Sequence, residues 1–215
     1  MCGRFVDPNL RSAGLDTSWI DAAPFGNWRQ RFNVAPTSSV ILLGGPERKP
    51  LLARWWLIPS WHDGTMADWK ATTFNARIED AALKPSFRQV WRTGRCLIPM
   101  RGYYEWTGPK GAKQPHFIQS AGNTETLFAA GLASRWQDLL TCTMMTRAAN
   151  DDVAAIHHRM PVLLDLEEQE AWLSGSEDPD LGQSARLSHH PVAPFGSRDD
   201  GPDLIEPITA NAKPT

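Results

Sequence analysis

The sequence predicts a single α+β domain built on a strand-rich, curved or barrel-like mixed sheet with several short helices. Short apolar or alternating stretches recur along the chain between clusters of Gly, Pro, Asn and Asp, which is the pattern of strands joined by tight turns. Helical candidates are few, and sixteen glycines and seventeen prolines in 215 residues leave little room for long helices. Strands and helices do not alternate regularly, which argues against a doubly wound parallel sheet.

In chain order, Leu10–Ala22 reads as a modest helix, and Val40–Leu43 and Leu51–Ile58 as strands. Lys84–Trp91 follows as a helix with Pro85 in its first turn, where a missing N–H costs nothing. Arg95–Trp106 reads as one long strand, and His116–Ser120, Thr126–Ala130 and Leu139–Thr146 as three more. Pro161–Leu164 and Ser188–Ala193 complete the strands, with His189 and His190 on a strand edge. Asp165 and Glu168 have capping-box spacing ahead of a helix over Glu167–Leu173. Ser174–Arg186 is a polar connector. The domain is expected to span 1–210, with 211–215 a frayed tail.

Charged residues make up 21%, hydrophobic residues 41%, and the formal net charge is −2. This balance excludes a disordered chain and a generally basic nucleic-acid coat; a nucleic-acid partner would need positive charge gathered on one face. Ten tryptophans serve either core packing or the stacking of bases. Cysteines at 2, 96 and 142 are odd in number and lack paired spacing, which points to a reducing compartment rather than a disulfide framework. Cys96 and Cys142 read as small buried hydrophobes within strands. The N-terminus has no apolar signal region and no run of 18 apolar residues occurs, so a soluble cytoplasmic protein without membrane partner is expected. No GxSxG, Walker or GxGxxG pattern is present, which leaves lipase-like hydrolysis, nucleotide hydrolysis and Rossmann dehydrogenation without support.

Four segments bear chemistry. Cys2 becomes the N-terminal residue once Met1 is removed, carrying an α-amine and a thiol on adjacent carbons. An α-amine titrates at about 7.7–8.0, far below a lysine, so it attacks an aldehyde near neutral pH, and the adjacent thiol closes a five-membered thiazolidine. Gly3 allows close backbone approach and Arg4 can hold a phosphate; the ordinary reading is a chance cysteine on a terminal segment. Glu105, in Arg101-Gly102-Tyr103-Tyr104-Glu105-Trp106, is a carboxylate inside an aromatic strand, which is either catalytic or half of a structural Glu–Arg pair. Ile156-His157-His158-Arg159-Met160-Pro161 offers imidazoles for proton exchange and an arginine for phosphate, or else a polar turn. No CxxC, HxH or HExxH spacing accompanies these histidines, so no metal is expected. In Thr73-Phe74-Asn75-Ala76-Arg77-Ile78-Glu79, Asn75 and Arg77 share a side if the segment is extended. They could orient a sugar and grip a phosphate, or form a turn and a surface ion pair.

Together these segments resemble the SRAP family of SOS-response-associated peptidases, or abasic-site-processing proteins. The landmarks run in order from Met1-Cys2-Gly3-Arg4-Phe5 through Arg31-Phe32-Asn33-Val34-Ala35-Pro36-Thr37 and Trp56-Leu57-Ile58-Pro59-Ser60-Trp61 to Asn75-Ala76-Arg77-Ile78-Glu79. They continue with Gly102-Tyr103-Tyr104-Glu105-Trp106 and His157-His158-Arg159-Met160-Pro161, so the resemblance covers residues 1 to about 208. It implies a covalent sensor of abasic sites in single-stranded DNA, in which Cys2 forms a thiazolidine with the ring-opened deoxyribose. By the same resemblance Asn75 positions the sugar or the N-terminal group, Glu105 relays protons, and His157 handles the proton on the sugar ring oxygen. Arg4, Arg77 and Arg159 are the candidate phosphate contacts, and Trp61 and Trp106 the candidate stacking surfaces. No cofactor and no obligate protein partner are implied, and a monomer is expected. His158 stands where the family often has an acidic residue, and Pro194-Phe195-Gly196-Ser197 replaces an expected valine–asparagine element. The competing readings are a cysteine peptidase with Cys2 as N-terminal nucleophile and a non-covalent single-strand-binding module.

Overall fold

The computed structural model describes residues 3–10, 25, 28–45, 47–122, 124–178 and 180–208. Among the described residues, eleven strands fall into two sheets: β1 (Phe5–Val6), β2 (Ser39–Gly44), β3 (Lys49–Trp55), β4 (Asn75–Arg77), β5 (Arg95–Met100), β6 (Gly102–Thr107), β7 (Gln114–Ser120), β8 (Leu127–Trp136), β9 (Leu139–Ala148), β10 (Arg159–Pro161) and β11 (Leu187–Pro191). Among the described residues, two short α-helices, α1 (Arg88–Thr93) and α2 (Leu166–Leu173), accompany them.

The larger sheet runs β9-β3-β2-β5-β8 and closes because β8 pairs back onto β9. This makes a five-stranded barrel, mixed because β3 lies parallel to β9 while the other pairs are antiparallel. The second sheet is antiparallel with order β1-β6-β7-β11.

Side-chain alternation explains how one barrel serves two cores. Val40 and Leu42 of β2 join Ala53, Trp55, Ile98, Cys142 and Met144 in one cluster, which the small sheet covers with Phe5, Tyr103 and Ile118. Ile41 and Leu43, the intervening residues of β2, join Leu97, Leu132 and Met145 in a second cluster under Val90 and Trp91 of α1 and Trp172 of α2. With both faces covered, Val40–Leu43 reads as a continuous apolar run. The far face of the small sheet forms a third cluster, where Val6, Tyr104 and Phe117 meet Val192 and Leu204.

The strand-rich α+β class holds, and the capping box forms, with Glu168 N–H donating to Asp165 Oδ1 at 2.9 Å and Asp165 N–H to Glu168 Oε2 at 3.0 Å. Other expectations change. Arg95–Trp106 is not one strand but two, β5 in the barrel and β6 in the small sheet, parted at Arg101. The reason is a close crossing at Gly102, where a Cβ would lie 2.4 Å from the Ile118 carbonyl oxygen. The Thr126–Ala130 strand instead runs on to Trp136, because Gly131 here is a packing residue whose added Cβ would meet Cys96 Sγ at 3.0 Å. Of Lys84–Trp91, only the part from Arg88 is helical, with Pro85 in the turn before it. The Pro161–Leu164 strand moves forward to Arg159–Pro161 because β9 offers it the edge that β8 leaves after Met144. Leu10 lies in a turn, and the rest of the helix expected over Leu10–Ala22 falls outside the described residues, as does the 211–215 tail.

Candidate active site

Glu105 and His157 come together where the two sheets meet. Glu105 sits mid-β6 between Tyr104 and Trp106, and its side chain shares a face with Tyr103 and faces the barrel. It is 4% exposed. Burial pushes its carboxyl above the ordinary 4.5, with the nearby His158 pulling the other way. β1 runs antiparallel to β6, with Phe5 opposite Tyr103 and Val6 opposite Gly102, and Tyr104 N–H donates to the Arg4 carbonyl at 3.0 Å. The chain therefore enters the fold alongside the strand that carries Glu105.

The barrel supplies the other half. β9 outruns the barrel, and its last residues pair with β4 on one edge and β10 on the other: Asn75 lies opposite Met144, and Arg159 opposite Ala148. Asn75 is 9% exposed. His157, just before β10, brings Nδ1 to 3.9 Å from Glu105 Oε1. His157 Nδ1 also lies against the backbone of Arg159, 3.0 Å from its N–H and 3.1 Å from its carbonyl oxygen, and these contacts hold the ring in place. Burial lowers the His157 pKa below 6.5. The exposed His158 stacks on it with ring centroids 4.3 Å apart, and His157 is the first cause of its own lowered pKa. A carboxyl drawn upward beside an imidazole drawn downward is an arrangement suited to passing protons near neutral pH.

Arg4 lies part-buried, with Nη1 donating to Asn33 Oδ1 at 2.6 Å. Asn33 Nδ2 in turn donates to the carbonyls of Gly196 at 3.0 Å and Asp199 at 2.7 Å. A cleft of about 310 Å³ is lined by Gly3, Arg4, Trp106, Phe195, Gly196 and Ser197. The segment beginning at Pro194, where the sequence departs from the family pattern, thus reaches the cleft. Asn33 was visible as part of a motif, but nothing in the sequence linked it to residues 163 and 166 positions away.

The remaining candidates are dispersed. Arg77 is exposed, its Nε 3.9 Å from Glu79 Oε2. Arg159 is buried and committed: both terminal nitrogens contact the Glu79 carboxylate, and Nη2 donates to the Thr146 carbonyl at 2.6 Å. That geometry makes it a strut between β9, β10 and the turn after β4 rather than a surface phosphate grip. Trp61 is 53% exposed and packs edge-on against Trp69 in the loop after β3. The sequence reading also missed Asp7, 1% exposed and held by Arg31 Nε at 2.7 Å, which ties β1 to the 28–33 segment. Cys2 lies outside the described residues. Cys96 and Cys142 are sealed in the barrel, and burial pushes the Cys96 thiol up to about 12 and that of Cys142 well above its ordinary value. Among the described residues, no group of three or more His, Cys, Asp or Glu is placed to hold a metal, and no helix is long and apolar enough to cross a membrane.

The sequence model of the family described as SOS response associated peptidase (SRAP) matches residues 1–194. The chain belongs to the SRAP family. Relatives of this SRAP chain include the abasic site processing protein YoqW of Bacillus subtilis, 35% identical over 200 residues that cover 86% of this chain and 85% of that protein. The abasic site processing protein YedK of Escherichia coli is 30% identical, covering 97% and 100%. The abasic site processing protein HMCES of Gallus gallus is 30% identical, covering 85% and 68%. Among solved structures, the SRAP chain shares its fold with a protein from Bacteroides thetaiotaomicron, with TM-score 0.78 and 22% identity over 95% of this chain and all of that one. A protein from Bordetella bronchiseptica aligns with TM-score 0.71 and 24% identity over 89% and 100%.

Proposed function

We propose that this SRAP protein processes abasic sites in single-stranded DNA by bonding its mature N-terminus to the damaged sugar. Once Met1 is removed, the Cys2 α-amine adds to the C1′ aldehyde of the ring-opened deoxyribose, and loss of one water gives an imine. The Cys2 thiol then adds across the C=N bond, its proton passing to nitrogen, and a thiazolidine results. The observation that carries this reading is the pairing of the buried Glu105 carboxyl with His157 Nδ1 at 3.9 Å, beside the strand through which the chain begins.

In this reading Glu105 takes a proton from the attacking amine and returns it to the departing hydroxyl. His157 serves the sugar ring oxygen as the ring opens, its ring held by the Arg159 backbone. Asn75 orients the sugar, Arg4 and Arg77 attract phosphates, and Trp106 and Trp61 offer flat faces to bases. Arg159 acts indirectly, by holding the His157 loop on β9. The other cysteines support the choice of nucleophile, because a buried thiol with a raised pKa is inert.

The test is intact-mass spectrometry before and after mixing with an oligonucleotide carrying one abasic site. Loss of Met1 and a denaturation-resistant adduct of one strand per protein are expected, and Cys2→Ala should form none. A protein that instead turns over a peptide substrate, with Met1 gone and no adduct, would replace this reading with that of a cysteine peptidase. The adduct rate should rise between pH 6 and 8 as the α-amine, with its ordinary pKa of about 7.7–8.0, loses its proton. Glu105→Gln should slow it by about a hundredfold, the lower end of what a positioned proton carrier contributes.

A further inference from the structure

A second cavity, of about 570 Å³, opens where the β2–β3 turn, the start of β8, the start of α2 and the segment before β11 come together. None of the candidate site residues lines it. Phe128, Leu163 and Leu164 give it apolar walls, and Gln169 of α2 and Thr126, just before β8, stand among them. Gln169 is 4% exposed and Thr126 8%. Gln169 Nε2 donates to the Leu164 carbonyl at 3.2 Å, so the other amide atom is the acceptor. That acceptor, Gln169 Oε1, has no hydrogen-bond partner among the described residues, and neither has Thr126 Oγ1. A buried polar atom left unmet forfeits what it gained from water, and two of them lining one cavity point to a polar guest.

The charge around the cavity selects what kind of guest fits. Arg48 Nη2 lies 3.9 Å from Glu170 Oε1, and Arg186 Nε lies 3.6 Å from Asp152 Oδ2. Each arginine of the lining thus has a carboxylate beside it, which favours a neutral molecule over an anion. The volume is that of a small-molecule site. Water against Phe128 and the leucines finds few polar partners, whereas a flat ring fills that space and carries its polar atoms on its edge. We infer that the cavity binds a small neutral heteroaromatic molecule, of indole to nucleoside size, whose N–H donates to Gln169 Oε1. The Thr126 hydroxyl meets a second polar atom on the edge of the larger rings. The terminal torsion of a glutamine is soft, so a turn about it brings Oε1 to the bound donor. The site is independent of the proposed covalent reaction.

The experiment titrates the full chain with two matched pairs of probes and reads the melting temperature and the binding isotherm. Indole and adenosine each carry an N–H donor on the ring system; 1-methylindole and N6,N6-dimethyladenosine are the same rings without it. At least one donor-bearing probe should bind and raise the melting temperature with its concentration. Its methylated form should bind about tenfold more weakly, the effect of one hydrogen bond. Whether indole or adenosine is the better ligand separates a bare fused ring from a nucleoside. Gln169→Met, of similar volume, should erase the preference for the donor, and thermal unfolding without probe shows that the variant is folded. In the unmutated protein the amide NMR signals of Gln169 and Thr126 should move with the midpoint of the isotherm, which locates the probe even if the methionine variant is unstable. No binding of either donor-bearing probe at millimolar concentration, equal binding of the methylated forms, or NMR shifts confined to residues outside the cavity would overturn the inference.

Discussion

At Glu105 the proposed proton relay comes at the expense of the fold. Burial raises its pKa above 4.5, so the native state binds its proton more tightly than the unfolded chain does. Its contribution to stability is therefore full below pH 4.5 and declines as the pH rises through the raised value. Glu105→Gln should raise the melting temperature by a few degrees at pH 7–8, and the gain should vanish near pH 4; calorimetry across that range measures it. His157 carries the opposite sign. Its lowered pKa makes its contribution complete above pH 6.5 and lost as the pH falls through the depressed value, because the fold then resists a proton that the unfolded chain accepts. Arg159 belongs with these residues in position but not in role. Arg159→Ala removes a buried guanidinium whose Glu79 partner is half exposed, together with its charge-assisted hydrogen bond to the Thr146 carbonyl, a loss of about 1.5–3 kcal/mol. It should lower thermal stability more than Arg77→Ala, which loses only a surface contact.

Between elements, the helices depend on one barrel residue. Arg95 at the start of β5 lies between two tryptophans, its guanidinium carbon 4.6 Å from the Trp91 ring centroid and 4.2 Å from that of Trp172. It donates to the Trp91 carbonyl at 2.9 Å and the Trp172 carbonyl at 3.3 Å, and also to that of Ser176. These carbonyls lie at or just beyond the ends of α1 and α2, where a helix lacks partners for its acceptors. One planar cation thus closes both helices and fastens them to the barrel. A lysine keeps the charge but not the planar fork. Arg95→Lys should cost about 2 kcal/mol, or roughly 4–8 °C in melting temperature for a chain of this size, with the adduct rate at 25 °C unchanged.

For the whole molecule, the slightly negative net charge bears on the proposed DNA substrate, which would meet only a few cations. With Arg4 and Arg77 as phosphate contacts, log K against log salt for an intact single strand should have a slope of about −1.4, and Arg77→Ala should reduce its magnitude by about 0.7. Arg159→Ala should leave the slope alone. Much of this organisation is legible in the sequence, since apolar runs mark β2, β5 and β9 and the spacing of Asp165 and Glu168 marks α2. What is not legible depends on pairing across the chain. β4 and β10 are three residues each and carry no periodicity of their own; they are strands because β9 has bare edges to fill. The change of sheet at Arg101 is hidden inside an apolar run, and the role of the segment around Phe195 exists only through Asn33. Glu105 and His157 stand out singly as chemistry-bearing residues, while the 3.9 Å between them is a property of register.

That arrangement around β9 fixes when the protein becomes competent during its own manufacture. β1 waits for β6, β4 waits for β9, and the His157 loop is fixed only by β10. A chain still being translated can hold Cys2, Asn75 and Glu105 and yet have no assembled centre until β10 clears the ribosome. Until then Glu105 and His157 are two ordinary side chains far apart in the chain, and the pair exists only once the last of these strands has closed.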